Sequence, residues 1–348
     1  MRSFGLLEDG RSVEAITIGD SAGVQLEVLT YGAIIRRLTV PVRGVRRDVV
    51  LHFDRLEHYE RDRAYVGPVV GRFGNRIAQG RFTLDGVAHQ VTVNEGVNHL
   101  HGGAIGFSRR LWRVLETGNG PRVVLGLHSP AGEEGYPGNL DATIELTVTA
   151  DSLKVRLGAR TDAPTPVNLT YHPYFNLAGN LAGNLAGDFR TAGTAHWLRI
   201  PASHYLPVGA GLIPTGEIAP VSGSTFDFRS SRKLEPPPPA SHPQLALAGG
   251  YDHCWVLDDG ADCSCELSSP NRDLTMSIRG SGPGLQFYNG QFLSRAHPRL
   301  GSGVILEPQG LPNAMNEPRF PDVILRPGES YRAEIEYAFR ADGSSSAG

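Results

Sequence analysis

The feature that most constrains this chain is alternation. Along most of its length apolar and polar residues trade places at every second position, as in Val24 to Leu29 (VQLEVL), Arg81 to Leu84, Val123 to Leu127, Thr143 to Val148 and Leu153 to Leu157. Successive side chains of an extended strand point to opposite faces, so the pattern suits strands with one face buried and the other wet. Helical periodicity is nearly absent, and the best helix candidate is the short stretch Arg55 to Arg61 (RLEHYER). Turn residues recur roughly every eight to twelve positions, and nothing alternates long helices with strands. An all-β fold is therefore expected, a large antiparallel β-sandwich with very little helix.

At 348 residues the chain has room for two domains, but all-β units often run past two hundred residues as one. No shift in pattern divides it, so a single domain over residues 1–340 is expected, with residues 341–348 (ADGSSSAG) as a disordered tail. Asn176 to Asp188 (NLAGNLAGNLAGD) repeats a four-residue unit too short for a solenoid and reads as an expanded surface loop. Glu235 to Pro239 (EPPPP) reads as a stiff connection, because proline donates no ladder hydrogen bond. A net charge of −3 supplies no basic field for nucleic acid or an anionic membrane, so the expected partner is a neutral small molecule. No apolar run has signal-peptide or membrane-span length, which points to the cytoplasm. Cys254, Cys263 and Cys265 are odd in number and lack a second ligand pair at zinc-like spacing, so they read as reduced structural thiols.

Five polar clusters interrupt the alternation. In Gly71 to Ile77 (GRFGNRI), Arg72, Asn75 and Arg76 occupy a glycine-bracketed turn, which is either a solvated turn or part of a site. In Asn94 to Gly103 (NEGVNHLHGG), His99 and His101 are two apart and are expected on one strand face, where such a pair can bind metal if further ligands join it. In Pro166 to Leu177 (PVNLTYHPYFNL), alternation sorts Asn168, Thr170, His172 and Tyr174 onto one face and Val167, Leu169 and Tyr171 onto the other. Tyr171 is thus expected in the core. In Gly249 to Val256 (GGYDHCWV), Asp252 and His253 precede an apolar strand. The run Val304, Ile305, Leu306 ends in Glu307, whose carboxylate, desolvated beside a core strand, has a raised pKa suited to proton transfer; the alternative is a glutamate reaching back to solvent.

The clusters GRFGNRI, NHLHGG, HPYFNL, YDHCWVL, LQFYNG and LEPQGLPNAMNEPRFP, in this order, resemble those of the aldose 1-epimerase (galactose mutarotase) family, and the likeness takes in Leu206 to Glu217 and Phe226 to Arg229. The resemblance implies the family's β-supersandwich with an open sugar cleft, agreeing with the alternation. It implies Glu307 as catalytic base, His172 as catalytic acid, and Arg72, Asn75, His101, Asp252 and Gln286 as sugar-binding residues, with a monomer or homodimer as the working form. Interconverting two anomers requires taking the proton from the C1 hydroxyl while protonating the ring oxygen, then rotating about the C1–C2 bond and reclosing the ring. That chemistry calls for no metal, nucleotide or redox cofactor. Arg, Asn, Asp and Gln suit sugar hydroxyls, and aromatic faces such as Tyr174 or Phe287 suit sugar CH groups.

Where the family commonly has Asn before the catalytic histidine this chain has Tyr171. Three other readings stay open: a non-catalytic carbohydrate-binding sandwich, a glycoside hydrolase using Asp252 and Glu307, and a hexose-6-phosphate 1-epimerase of the same fold, for which Arg76, Arg109 and Arg110 are the candidate cations. A bell-shaped pH profile is expected, with an acidic limb from Glu307 and a basic limb from His172.

Overall fold

The alternating segments become strands whose registers match core residue to core residue. Leu140–Val148 buries every second side chain, and it pairs with Ser152–Thr161 so that Ala142 faces Ala159, Ile144 faces Leu157 and Leu146 faces Val155. A one-residue slip would turn that whole set to solvent, so the apolar pattern itself specifies the register. The computed structural model describes residues 1–20, 22–118, 120–180, 195–235, 242–298 and 300–342.

Among these residues the strands form three principal sheets. A six-stranded sheet runs in chain order from Arg2–Leu6 to Val45–Val50 and is completed by Phe175–Asn180. A nine-stranded sheet carries Arg113–Thr117, Arg122–Ser129, Leu140–Val148 and Ser152–Thr161, then the late strand Tyr331–Ala341 and Leu274–Gly280. A five-stranded sheet is ordered Ala219–Pro220, His204–Leu206, Asp252–Val256, Gly284–Tyr288, Ile305–Gln309. Neighbouring strands in all three are antiparallel, for example Asp252–Val256 against Gly284–Tyr288 and Gly284–Tyr288 against Ile305–Gln309. One buried apolar cluster includes residues from Ile16 to Phe339 and is shared by all three sheets, with Leu38, Ile144 and Leu306 as members. Helix is limited to short pieces, one of them Leu56–Arg61 within the expected stretch.

Two expectations need adjustment. The first part of the Asn176 to Asp188 repeat is not loop, because Phe175–Asn180 pairs with Val45–Val50; residues 181–188 lie outside the described residues. Ala341 closes the last strand, so the tail starts later than expected, and residues 343–348 lie outside the described residues, as do residues 236–239 of the proline stretch.

Tyr171 is fully buried in the main core beside Val167 and Leu169, and its hydroxyl donates to the carbonyl of Ala33 at 2.9 Å. Tyr171→Ala leaves both a large cavity and an unpaired carbonyl, a loss of about 3–5 kcal/mol. The expected result is a lower melting temperature with kcat/KM of the folded protein changed less than threefold or so. A variant that melts normally but exchanges anomers faster would place the ring in the cleft.

Candidate active site

The five-stranded sheet gathers polar side chains on one of its faces. Register puts Glu307 opposite Gln286, Gln286 opposite Cys254, and Asp252 opposite Tyr288, so Asp252, Gln286, Tyr288 and Glu307 share that face. The intervening residues His253, Phe287 and Leu306 point away and are wholly buried. Phe287 therefore packs on Tyr251 and Phe228 in the core and not on the cleft, contrary to expectation. Asn75, Asp252 and Gln286, together with Leu206, Val208 and Pro214, line an open pocket at this face.

The opposite wall comes from the HPYF segment. Thr170 donates its hydroxyl to the carbonyl of Pro308 at 3.0 Å, and Phe175 exchanges backbone hydrogen bonds with Val304, so His172 is held alongside the strand that carries Glu307. The Nδ1–H of His172 donates to the carbonyl of Tyr65 at 2.7 Å, leaving Nε2 as the nitrogen that can exchange a proton. Tyr174 stands edge-on to His172 with ring centroids 5.5 Å apart and anchors its own hydroxyl on the Ala64 carbonyl.

The glycine-bracketed loops close the circle. Gly102 has φ +86°, and a Cβ there would lie 1.7 Å from the Gly71 carbonyl oxygen, so only glycine lets these loops touch. The contact brings His101 edge-on to His172 at 5.2 Å and lets its Nδ1 accept from the Asn75 N–H at 3.2 Å. Burial, reinforced by the positive groups nearby, holds His101 well below the usual histidine range, so it is neutral and carries its proton on Nε2 as a hydrogen-bond donor. Arg76 forks onto Glu95 with bonds of 2.6 and 2.7 Å and turns its remaining nitrogen toward Asp252 at 3.6 Å. Asp252 in turn accepts from Gln286 Nε2 at 2.6 Å.

Two of the expected placements are corrected. Arg72 does not join the cluster, because its guanidinium is spent on the protein: Nε donates to Ser129 Oγ, one terminal nitrogen to the Pro137 and Gly138 carbonyls, the other to the Ser129 and Pro130 carbonyls. Burial without an ion-pair partner draws it down to about 10. Arg76 is the arginine in the cluster. His99 and His101 do not share a face either, since His101 has φ +51° and leaves the strand; His99 is buried between the Thr92 carbonyl and the Tyr136 hydroxyl, each 2.6 Å away. Among the described residues no three His, Cys, Asp or Glu side chains gather as a metal site.

Tyr65 and Tyr288, which alternation did not single out, complete the aromatic lining; Tyr65 tilts against His101 at 4.8 Å and His172 at 5.7 Å. Its position in a turn gives no periodic signal. Arg109 is bonded to the carbonyls of Glu60 and Asp62, and Arg110 is paired with Glu133, so with Arg76 engaged none of the three arginines considered for a phosphate is left free.

Electrostatics set the two proton carriers apart. Glu307 is buried, its Oε1 has no hydrogen-bond partner among the described residues, and desolvation, with the repulsion of Asp252, pushes its carboxyl well above the usual range against the pull of Arg76. Burial pulls His172 down to about 4, outweighing the Tyr65 carbonyl and the two nearby carboxylates. The expected ordering of the two groups is thus inverted: the carboxyl of Glu307 holds its proton well above the usual carboxylate range, while the imidazole of His172 gives up its own well below the usual histidine range.

The family model described as aldose 1-epimerase matches residues 14–338 of this chain. Galactose mutarotase of Sus scrofa is 38% identical over 351 residues, covering 97% of each chain. Aldose 1-epimerase of Escherichia coli (strain K12) is 35% identical, covering 97% of this chain and 98% of its own. Among solved structures, an aldose epimerase homologue from C. elegans superposes with a TM-score of 0.82 at 29% identity, covering 94% of this chain and 99% of its own. Galactose 1-epimerase from Lactobacillus acidophilus NCFM does so with a TM-score of 0.83 at 27% identity, covering 96% of each. A likeness that runs the whole length of the sandwich, cleft strands included, makes this chain a member of the aldose 1-epimerase family, an enzyme that epimerises sugars at the anomeric carbon.

Proposed function

We propose that the chain interconverts the α and β anomers of a free aldohexose such as galactose or glucose, with Glu307 exchanging a proton with the C1 hydroxyl and Nε2 of His172 with the ring oxygen. The observation that carries this reading is the pair of buried groups, both within the field of Asp252, whose surroundings push their pKa values in opposite directions. Such a pair retains one proton over a wide pH range, and one shared proton is what ring opening and closing need. Opening takes the C1 proton onto Glu307 and gives one from His172, leaving protonated Glu307 and neutral His172. Both shifts favour that state, so the site is matched to the open-chain sugar and closure runs the same transfers backwards. Asn75, His101, Arg76, Asp252 and Gln286 supply the donors and acceptors for the hydroxyls, with Arg72 moved to a supporting role. The engaged arginines favour an unphosphorylated sugar. We further read the chain as one domain acting in the cytoplasm as a monomer or homodimer.

Polarimetry of freshly dissolved α-D-galactose and α-D-glucose tests the activity. Added protein should speed the approach to equilibrium rotation well above the spontaneous rate, and an unchanged rate with both sugars would sink the assignment. The pH profile should be bell-shaped with its limbs exchanged relative to ordinary carboxylate and imidazole values. The acidic limb, near pH 4, marks protonation of His172; the basic limb marks loss of the proton from Glu307. A rate independent of pH from 4 to 10, after correction for solvent catalysis, would contradict the pairing.

A further inference from the structure

The turn that supports His172 is itself held by a buried carboxylate. Asp62 follows the helix Leu56–Arg61, and its carboxylate accepts from the N–H groups of Ala64 at 2.8 Å and Val66 at 2.7 Å. Its Oδ1 also lies 2.7 Å from Nε2 of His297, a residue more than two hundred positions away. Asp62 is only 6% exposed; burial opposes its ionisation, but the bonds from His297, Val66 and Ala64 outweigh burial and hold it below the usual range. The turn these bonds close contains Tyr65 at φ +56°, a left-handed conformation that a tyrosine rarely adopts and that persists only where its surroundings enforce it. In that conformation the Tyr65 carbonyl receives both Gly67 N–H at 3.0 Å and Nδ1–H of His172 at 2.7 Å.

We propose that Asp62, braced by His297, is a positioning residue for His172: by closing the 62–66 turn it sets the Tyr65 carbonyl on Nδ1, so that Nδ1 keeps its proton throughout and Nε2 alone exchanges with the sugar. A neutral imidazole without this bond can place its proton on either nitrogen, and the form with the proton on Nε2 has no lone pair to receive the ring-oxygen proton at closure. The inference rests on the reading of His172 as a proton-exchanging group.

The test uses the full chain labelled with 15N-histidine. In the wild type the His172 imidazole shifts should show one tautomer, protonated at Nδ1. Asp62→Ala should shift that signal toward a mixture and lower kcat by roughly ten- to a hundredfold while KM stays within about twofold. Asp62→Asn, whose amide oxygen still accepts one of the two N–H groups, should recover part of kcat together with part of the tautomer signature. A folded Asp62→Ala variant with wild-type kcat, or one that loses kcat with the His172 spectrum unchanged, overturns the proposal. If Asp62→Ala does not fold, Asp62→Asn and His297→Ala carry the same two readouts, and wild-type values in both overturn it equally. The spectrum is recorded without sugar, so it stands apart from the functional reading, which fails instead if His172→Asn retains anomer exchange.

Discussion

Glu307→Gln is expected to abolish anomer exchange and, at the same time, to raise the melting temperature at pH 7 to 8. The amide keeps the shape of the side chain but can neither take nor return the C1 proton, and losing such a group costs about a hundredfold to ten-thousandfold in rate. The stability gain follows from linkage. Below the ordinary carboxyl value of 4.5 the group is protonated in both the folded and the unfolded chain, so the wild type bears no penalty there. Above it the unfolded chain ionises while the folded chain is held protonated; the native state then binds more protons, and stability falls as pH rises until the folded value is passed. Glutamine carries no such pH-dependent loss. The advantage of the variant should therefore be absent at pH 4, appear above pH 4.5 and level off once the folded carboxyl ionises. A variant that melts below the wild type at every pH would mean that Glu307 is well solvated or paired, and a rate within about tenfold of wild type would remove it as the base.

His172 has the opposite pH signature. Its folded value of about 4 lies below the ordinary 6.5, so its contribution to stability is present above pH 6.5 and is lost as pH falls toward 4. The site thus combines a group that destabilises the fold at high pH with one that destabilises it at low pH. Both penalties come from the burial that takes the two groups out of water.

Wherever strands run without interruption, the architecture was legible from alternation alone. Tyr171 illustrates this: its neighbours Val167 and Leu169 assign it to the core, and the core is where it lies. The same rule separates Gln286 from Phe287, because period-two geometry sends them to opposite faces, and applied to Phe287 it excludes a sugar-stacking ring. It fails at left-handed residues, which turn the chain out of register with the pleat. His101 at φ +51° and Asn75 at φ +66° are both of this kind; the bracketing glycines mark Asn75 as a turn residue, but spacing alone treats His101 as a strand residue. That is why His99 and His101 seem paired by spacing but part in space. The order of the two pKa values was hidden for a different reason. A carboxylate after a core strand announces desolvation, and Glu307 bears that out, but how far burial lowers His172 depends on groups contributed by segments remote in sequence. The Asp62 brace is invisible for the same cause, since it joins residues 62, 65, 172 and 297.

The two arginines of the GRFGNRI turn should fail in different ways when replaced. Arg72→Met removes the donors that satisfy the carbonyls of Ser129, Pro130, Pro137 and Gly138, all in the chain that leads from Arg122–Ser129 to Leu140–Val148. Each buried acceptor left unpaired costs about 1–3 kcal/mol, so a total on the order of 3 kcal/mol or more is expected, seen as a marked fall in melting temperature. The folded fraction should still exchange anomers with kcat/KM within about threefold of wild type, because the Arg72 guanidinium is wholly engaged by the 129–138 segment. Arg76→Met also loses some stability, since it strands Glu95 and Asp252, but its main effect should be a fall in kcat/KM of roughly tenfold or more. It should also move the basic limb of the pH profile upward. Arg76 is the positive charge that draws the Glu307 carboxyl down against burial and Asp252, and without it the carboxyl holds its proton to higher pH. The contrast is decisive in both directions: if Arg72→Met loses sugar affinity at unchanged stability while Arg76→Met leaves kcat/KM and the basic limb where they were, then Arg72 is the sugar-facing residue and its bonds to the 129–138 segment must open when substrate binds.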